Sequence, residues 1–237
     1  MNIIITGASR GIGYEIVRSI AGMPGIKLIA IARSREELME LKLSCTGLPS
    51  GKDIEVIPSD LSDSVKLKDE VIPSIYRLFD HLDILINNAG YLVNKPFMQT
   101  NEAELEMTIR INFIVPWLMI QSLSDLLSKS AKSHVVNISS IGGIQGSVKF
   151  PGLSAYSSSK GALAILTECL AAELSDRNIS VNCLALGSVQ TEMFNKAFPG
   201  YKAQLKPDVI AAFIKDFAIY GNNYFNGKIL PVSVSTP

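Results

Sequence analysis

The 237-residue sequence lacks several features that mark particular functional classes. Lys and Arg number 22, and Asp and Glu also number 22, so no charge excess favours binding to nucleic acid or to an anionic membrane. No run reaches the roughly 18 continuous apolar residues of a membrane span. No signal peptide is expected, because Met1 and Asn2 lead directly into an apolar strand. These absences predict a cytoplasmic protein with neither nucleic acid nor membrane as partner.

Cysteine and histidine are also scarce. Cys45, Cys169 and Cys183 are far apart and odd in number, which fits neither a disulfide framework nor a zinc site and indicates a reducing compartment. His81 and His134 have no acids or cysteines at ligand spacing, so they are expected to be ordinary surface or packing residues. We therefore expect no metal and no serine–histidine–acid triad.

Short apolar runs alternate with helical patterns along the whole chain. Several runs are apolar on both faces, which is typical of a parallel sheet covered by helices on both sides. No linker or repeat intervenes, so residues 1–237 are predicted to form a single doubly wound, Rossmann-like α/β domain of about seven strands. Pro73 is expected to kink or divide its helix, and Pro116 is expected to bend its helix. The predicted strands are Asn2–Thr6, Ile26–Ala32, Ile54–Ile57, Ile84–Asn87, His134–Ser139, Ile179–Leu186 and Lys228–Ser233, and the predicted helices are Gly11–Gly22, Arg35–Ser44, Ser62–Phe79, Asn101–Lys129, Ser154–Asp176 and Pro207–Tyr220.

A glycine-rich turn joins the first predicted strand to the first helix. Gly7 permits a tight turn, Gly11 lets the backbone approach a phosphate, and Gly13 lets the helix pack close to the sheet. The helix N-terminus would then point free N–H groups at a pyrophosphate. An ordinary β–α turn is the alternative, but the order of strand, turn and helix favours dinucleotide binding.

The end of the second predicted strand indicates which dinucleotide is preferred. Enzymes that use NAD place an acid roughly 20 residues after the turn, on the ribose 2′-hydroxyl. Here the strand leads into Arg33 and Ser34, and Arg10 lies in the turn. Guanidinium groups suit a 2′-phosphate, although both arginines could instead be solvated surface residues. The sequence favours NADP(H) over NAD(H).

A tyrosine and a lysine four residues apart form a candidate acid–base pair. Tyr156 and Lys160 would share one face of a helix. A tyrosine hydroxyl has an ordinary pKa near 10, and a nearby ammonium lowers that pKa. The pair could therefore act as a general acid–base. The spacing also occurs by chance in helical proteins, so it needs support from its surroundings.

Several motifs in order supply that support. The turn at residues 6–13 has the form T-G-x-x-x-G-x-G, residues 87–90 read N-N-A-G, and Ser139-Ser140 precede Tyr156 and Lys160. This set resembles the short-chain dehydrogenase/reductase family, in its ordinary rather than extended branch. The resemblance spans residues 2–233. It implies an oxidoreductase that interconverts a carbonyl and an alcohol of a small-molecule substrate, with hydride transfer to or from NADP(H).

The resemblance also implies roles for individual residues. In such a site Ser140 hydrogen-bonds the substrate oxygen, and Tyr156 transfers the proton. Lys160 binds the nicotinamide ribose and lowers the pKa of the tyrosine. Asn112 holds a proton-relay water near the lysine. Ser139 competes for the serine role, and Ser140 is preferred because the second serine of this motif usually carries it in relatives.

Further matches extend the expected cofactor site. Asp60 and Leu61 match the pair beside the adenine ring, and residues 186–193 match a segment that contacts the nicotinamide carboxamide. Each has a structural alternative, such as a helix cap for Asp60. The cofactor-binding residues expected in all are Gly7, Ser9, Arg10, Gly11, Ile12, Gly13, Arg33, Asp60, Leu61, Asn88, Ala89, Gly90, Tyr156, Lys160, Gly187, Val189 and Thr191.

The sequence also departs from the family pattern. Ser140 and Tyr156 are 16 residues apart, about three more than usual, and such an insertion costs little closure entropy. Phe150, within that insertion, is expected near the substrate. Leu186 replaces a usual proline, an expected substrate lid covers about residues 190–206, and residues 234–237 lack the usual aspartate-glycine-glycine ending.

Partners and alternatives follow from the same resemblance. Relatives pair through helices equivalent to Asn101–Lys129 and Ser154–Asp176, which predicts a homodimer or homotetramer. The main alternative is a non-catalytic NADP(H)-binding regulator, against which the combination of Ser140, Tyr156, Lys160 and Asn112 argues. A sugar-nucleotide epimerase would need a larger C-terminal domain.

Overall fold

Isoleucine-rich runs form a seven-stranded parallel sheet in the computed structural model, which describes residues 1–234. Ile3, Ile4 and Ile5 are wholly buried, as expected for a strand covered on both faces. Residues 234–237 lack the family's usual ending. Of these four residues only Val234 is among the described residues. The strands are β1 Asn2–Thr6, β2 Lys27–Ala32, β3 Ile54–Pro58, β4 Ile84–Asn87, β5 Ser133–Ser140, β6 Ile179–Leu186 and β7 Ile229–Val232.

Helices cover both faces of this sheet, so the predicted doubly wound, Rossmann-like α/β fold is confirmed. Six predicted helices are present, with ends shifted by a few residues in most cases. A short helix, Glu192–Ala197, was not predicted. The helices are α1 Gly11–Ala21, α2 Arg35–Ser44, α3 at residues 64–78, α4 Glu102–Ser128, α5 Ser154–Glu173, α6 Glu192–Ala197 and α7 Pro207–Tyr220.

Pro73 and Pro116 do not divide their helices. A π-helical turn precedes each proline, at Leu67–Val71 in α3 and at Arg110–Ile114 in α4. The wider turn lets the residue before each proline donate its N–H five residues back, and the helix then continues past the residue that has no N–H. Division at Pro73, one of the two outcomes expected there, therefore does not occur, and each proline follows a wide turn in a continuous helix.

The strand order places the loops that follow the strands along one edge. The order is β3-β2-β1-β4-β5-β6-β7, so the chain reverses direction across the sheet between β1 and β4. Ile3 and Ile5 pack with α1 and α7 in one apolar core, and Ile4 packs with α3 and α4 in the other. In such sheets the crevice at the reversal, outside the carboxyl ends of the strands, is where ligands bind.

Helix α4 is apolar enough to meet a compositional test for a membrane span. Its most apolar window has a mean hydropathy of 1.2, and 44% of that window is buried within the fold. Core helices of globular proteins pass the same test. The feature is therefore weak evidence for a membrane, and it is the one such helix in residues 1–234.

His134 is a wholly buried histidine at the start of β5. Its Nδ1 lies 2.9 Å from the carbonyl oxygen of Ala218, and its Nε2 lies 3.0 Å from Nδ2 of Asn182. A neutral ring satisfies both contacts, because Nδ1–H can donate while Nε2 accepts. Burial lowers the pKa of His134 to about 4. The side chain is a packing histidine, as the sequence led us to expect.

This depressed pKa predicts a loss of stability in mild acid. In the unfolded chain the ring takes up a proton near pH 6.5, whereas in the folded protein it stays neutral until about pH 4. Stability is thus undiminished above pH 6.5 and falls by ~3 kcal/mol as the pH drops through this window. Urea unfolding of the wild type and His134→Gln at several pH values measures this. The same pH slope in both proteins would contradict the prediction.

Candidate active site

The glycine turn between β1 and α1 has the geometry its sequence predicts. Gly7 and Gly11 have φ values of +66° and +56°, which favour glycine. A Cβ on Gly13 would lie 2.2 Å from the carbonyl oxygen of Gly7, which follows β1, and 2.5 Å from Nδ2 of Asn88, which follows β4. Glycine at this position therefore lets α1 begin close against the end of the sheet. No side chain of the described residues caps α1 at Arg10, which leaves its first N–H groups for a ligand.

Asn88, which follows β4, fastens this turn to the neighbouring strand. Its Nδ2 donates to the carbonyl oxygens of Thr6 and Gly7, both at 3.0 Å. In return, Oγ1 of Thr6 accepts the backbone N–H groups of Asn88 and Ala89. The segment after β4 therefore buttresses the edge of the sheet.

Ser140, Tyr156 and Lys160 converge beside that edge. Ser140 ends β5 and hydrogen-bonds the side chain of Tyr156, which lies in the first turn of α5. Lys160 lies one turn further along and is buried, and its Nζ donates to the carbonyl oxygen of Ile138 at 2.7 Å. The Nζ atom is 5.9 Å from the centre of the Tyr156 ring. The three side chains can therefore act on one ligand.

The two competing serines have different contacts. Ser139 is buried, and its Oγ donates to the carbonyl oxygen of Lys160 at 2.8 Å. Ser140 is half-buried, and its Oγ accepts the N–H of Gly142 at 3.2 Å while also bonding Tyr156. Ser139 thus joins β5 to α5, and Ser140 is the serine beside the tyrosine.

Asn112 lies in the π-helical turn of α4 and is wholly buried. Its Oδ1 accepts the N–H of Tyr91, and its Nδ2 donates to the carbonyl oxygen of Tyr91 and to Oγ of Ser159, at 2.8 to 2.9 Å. Ser159 in turn donates to the carbonyl oxygen of Tyr156. Asn112 therefore holds the loop after β4 and the start of α5 together.

Burial is the main cause of the pKa shifts of both the tyrosine and the lysine. The Tyr156 side chain is partly exposed, but burial raises its pKa to about 12. The hydrogen bond from Ser140 lowers that pKa by a smaller amount. Burial lowers the pKa of Lys160 to about 8. The expectation that Lys160 lowers the pKa of Tyr156 is therefore not met in this structure. The ammonium points to the carbonyl oxygen of Ile138 rather than to the phenol.

A cavity of about 680 Å³ runs from the glycine turn to these side chains. Ser140 and nearly all of the expected cofactor-binding residues line it; Gly13 and Asn112 do not, because both are buried behind its wall. The sequence did not identify several other lining residues, since nothing in their local pattern marks them. These include Ser34, Glu37, Ser59 and Met107.

The two candidate arginines have different surroundings. Arg10 pairs with Glu192 of α6 at 2.9 Å, and Glu192 also pairs with Lys196 at 2.6 Å. Arg33 is exposed at the rim of the cavity, and no ion pair joins it to any residue in the described range. Arg33 is thus the freer of the two cations. The partner of Arg10 lies 182 positions away, so local sequence could not reveal it.

The segment expected to form a lid is fastened at its base. The N–H of Gln190 donates to the carbonyl oxygen of Leu205 at 2.8 Å. Val189 and Leu205 are paired in an isolated parallel β-bridge. Between these points lies α6, which begins where Oγ1 of Thr191 accepts the N–H of Phe194. A threonine cap followed by Glu192 is a helix signal that could have revealed α6.

Leu186, the residue in place of the usual proline, is held by strand pairing. It ends β6, where it pairs with Ser140 of β5 and Val232 of β7. The N–H of Gly187 donates to the carbonyl oxygen of Val232 at 2.9 Å, so ordinary strand pairing holds the segment where relatives have proline.

Comparisons with known proteins agree with this geometry. Residues 1–202 match the family model described as short chain dehydrogenase. The chain is 32% identical over 192 residues to a fatty acyl-CoA reductase of Acinetobacter baylyi. The matched region covers 80% of this chain but 63% of that protein. It is 28% identical to the 3-oxoacyl-(acyl-carrier-protein) reductase of Thermotoga maritima, over 97% of this chain and 94% of that protein. The structure of a Pseudomonas aeruginosa RhlG/NADP active-site complex is 27% identical, with a TM-score of 0.86 over 98% of this chain and 94% of that chain.

Proposed function

The chain belongs to the short-chain dehydrogenase/reductase family, and on that premise we propose that it is an NADP(H)-dependent carbonyl reductase or alcohol dehydrogenase. The observation that carries the proposal is the convergence of Ser140, Tyr156 and Lys160 in the cavity that begins at the glycine turn. The family's general reaction interconverts a carbonyl and an alcohol. The preference for NADP(H) and the roles of the individual residues are the parts that we propose.

The residues of the cavity fit a nicotinamide dinucleotide. The N–H groups at the start of α1 and the turn around Gly7 suit a pyrophosphate. Ser59 lines the cavity near β2, and its buried Oγ has no hydrogen-bond partner among the described residues, so a ligand could satisfy it. Asp60, Leu61, Asn88, Gly90 and the segment from Gly187 to Thr191 would line the rest of the cofactor. When bound, the nicotinamide supplies or accepts the hydride.

Proton transfer falls to Tyr156 in this proposal. With a pKa near 12 its hydroxyl is protonated at neutral pH, so it can donate to a carbonyl oxygen that becomes an alkoxide. Ser140, beside it, donates a hydrogen bond to the same oxygen. Lys160, one turn further along α5, would hold the nicotinamide ribose. Asn112 holds Tyr91 and Ser159 in place around this group.

We also propose the remaining features that the sequence indicates. These are a single domain, a lid at about residues 190–206, a cytoplasmic location and a homodimer or homotetramer. Helices α4 and α5 carry exposed large apolar side chains, among them Leu105, Trp117 and Ile165, which supports pairing through these helices. A monomeric sedimentation mass would contradict the oligomer.

The preference for NADP(H) predicts a change of cofactor in Arg33→Asp. Among the described residues Arg33 forms no ion pair, and it lies at the rim of the cavity, although Glu37 also lines the cavity and would repel a phosphate. Loss of a charged hydrogen bond of ~1.5–3 kcal/mol should raise the Kd for NADPH about 10- to 100-fold, with NADH affected little. Fluorescence titration of both cofactors measures this. The matched control is Arg35→Asp in α2, which lies outside the cavity lining; equal effects of the two variants would refute the assignment.

The function itself is tested with the purified protein. NADPH, or NADP with alcohols, is incubated with a panel of ketones, aldehydes, sugars and acyl thioesters, and the absorbance of the reduced nicotinamide is followed. We expect turnover of at least one class. Tight NADPH binding without turnover of any compound would instead favour the non-catalytic regulator.

A further inference from the structure

We propose that the substrate of this site is an uncharged ketone or aldehyde whose carbonyl carries an extended alkyl or aryl group. This inference rests on the proposed function and names the class of compound on which it acts. It is drawn from the half of the cavity beyond Tyr156, whose lining comes from the loop after β4, the loop before α5, and α6.

That half is lined by three phenylalanines, Phe150, Phe194 and Phe198. We call these three residues the aromatic wall. The ring centres of Phe150 and Phe198 are 6.3 Å apart at 71°, and those of Phe194 and Phe198 are 5.2 Å apart at 38°. These are favourable aromatic contacts. The wall therefore joins the lengthened loop before α5 to the lid segment.

Other lining residues are also apolar, namely Leu92, Ile141 and Leu153 together with Met107 of α4. Phe150 is 52% exposed. An apolar substituent would cover such surface and be withdrawn from water at the same time, which is favourable in proportion to the area. Apolar clefts of this kind bind the apolar body of a ligand, while a few polar groups orient it.

Two charged residues among those described line this half or its boundary: Lys160 of the catalytic group, and Glu192 of α6, which pairs with Arg10 and Lys196. The neighbouring cations are already engaged. Lys160 donates to Ile138, Lys149 donates to the carbonyl oxygen of Ile144, and Lys95 pairs with Glu104. A carboxylate or phosphate on the substrate would therefore lie beside apolar side chains without a counter-charge, which is unfavourable.

The wall is held in position by the loop after β4. Nδ2 of Asn94 donates to the carbonyl oxygen of Ala197 in α6 at 2.6 Å. The N–H of Lys95 donates to the carbonyl oxygen of Gly152, just before α5, at 3.0 Å. One loop thus fixes both segments that carry the phenylalanines, so the apolar surface exists before a substrate binds.

The test measures kcat/KM with NADPH for straight-chain methyl ketones from butanone to decanone. Each buried methylene should raise kcat/KM about fourfold until the wall is covered. Acetophenone is compared with its 4-carboxylate, and the carboxylate should be at least about tenfold poorer because its charge is left unpaired. Phe150→Ala and Phe198→Ala should each reduce the ratio of decanone to butanone, whereas Phe97→Ala, an exposed phenylalanine outside the cavity lining, should not.

The outcomes separate this inference from the function on which it rests. Turnover without a rise along the ketone series, or a preference for the carboxylate, would overturn the substrate class and leave the oxidoreductase intact. An unchanged ketone ratio in both folded wall variants would also overturn it. No turnover of any carbonyl by protein that binds NADPH would overturn the proposed function, and the substrate class with it.

Discussion

Replacement of Tyr156 by phenylalanine is expected to lower kcat for carbonyl reduction about a thousandfold while the protein still folds and binds NADPH. The change removes one hydroxyl, the proton donor in the proposed reaction, and general acid–base groups contribute roughly 10²- to 10⁴-fold. The ring remains to fill its place beside Ser140 and Lys160. Steady-state kinetics together with the Kd for NADPH measure the two effects separately.

Tyr91→Phe is the matched control for this substitution. Tyr91 also lines the cavity, but its contacts with Asn112 are made by its backbone N–H and carbonyl groups. Loss of its hydroxyl should therefore change kcat little. If Tyr156→Phe kept more than about a tenth of the wild-type kcat, where removal of a general acid should cost at least ~10²-fold, another group would have to supply the proton.

Gly13→Ala is expected to have the second large effect, on cofactor binding. The added methyl would lie 2.2 Å from the carbonyl oxygen of Gly7 and 2.5 Å from Nδ2 of Asn88. The backbone atoms cannot move aside without moving the whole turn. Overpacking of this kind costs ~1–3 kcal/mol of stability, and displacement of the turn should raise the Kd for NADPH about 100-fold, equivalent to ~2.7 kcal/mol. Thermal unfolding and NADPH titration measure these changes.

Gly22→Ala, at the other end of α1, provides the control. Its added methyl would meet the nearest atom, the carbonyl oxygen of Ser19, at 3.3 Å, and its φ of −68° is ordinary for alanine. It should leave the Kd for NADPH unchanged. Equal cofactor affinity in Gly13→Ala and the wild type would show that the turn does not contact the cofactor.

The sequence predicts the central strands and several helix ends well, because their signals are local. β1, β4 and β6 begin and end at the predicted residues, since each is an apolar run that both faces of the sheet bury. Helix α2 also has its predicted ends, with Oγ of Ser34 accepting the N–H of Glu37 at its cap. Such elements need no knowledge of distant residues.

The features that the sequence did not predict depend on residues far apart in the chain. The pairing of Arg10 with Glu192 exists because α6 folds back over the glycine turn. The raised pKa of Tyr156 depends on what surrounds it in space, and the direction of the Lys160 ammonium depends on the carbonyl group of Ile138. A four-residue spacing reports that two side chains share a helix face, but it does not report where either group points.

Motifs spread along the sequence predict the candidate site, and the structure brings most of them to one cavity. Parallel strands explain this, because the segments after β1, β4, β5 and β6 all emerge at the same edge. The contacts within the lid could not be assigned in this way. Phe198 lies in the expected lid but belongs to no motif, and its position depends on how the lid segment packs against the loop before α5.

The π-helical turn that contains Asn112 has a consequence for the length of α4. Such a turn is equivalent to one inserted residue, and each residue of an α-helix rotates the next by about 100°. The wide turn takes up that residue without adding its rotation of about 100°, so Val115, Met119 and Leu123 in the second half of the helix still face the core. Regular winding without removal of a residue would turn that apolar stripe away from the sheet by about 100°. The helix therefore keeps this stripe on the sheet only while the extra residue and the wide turn are kept together.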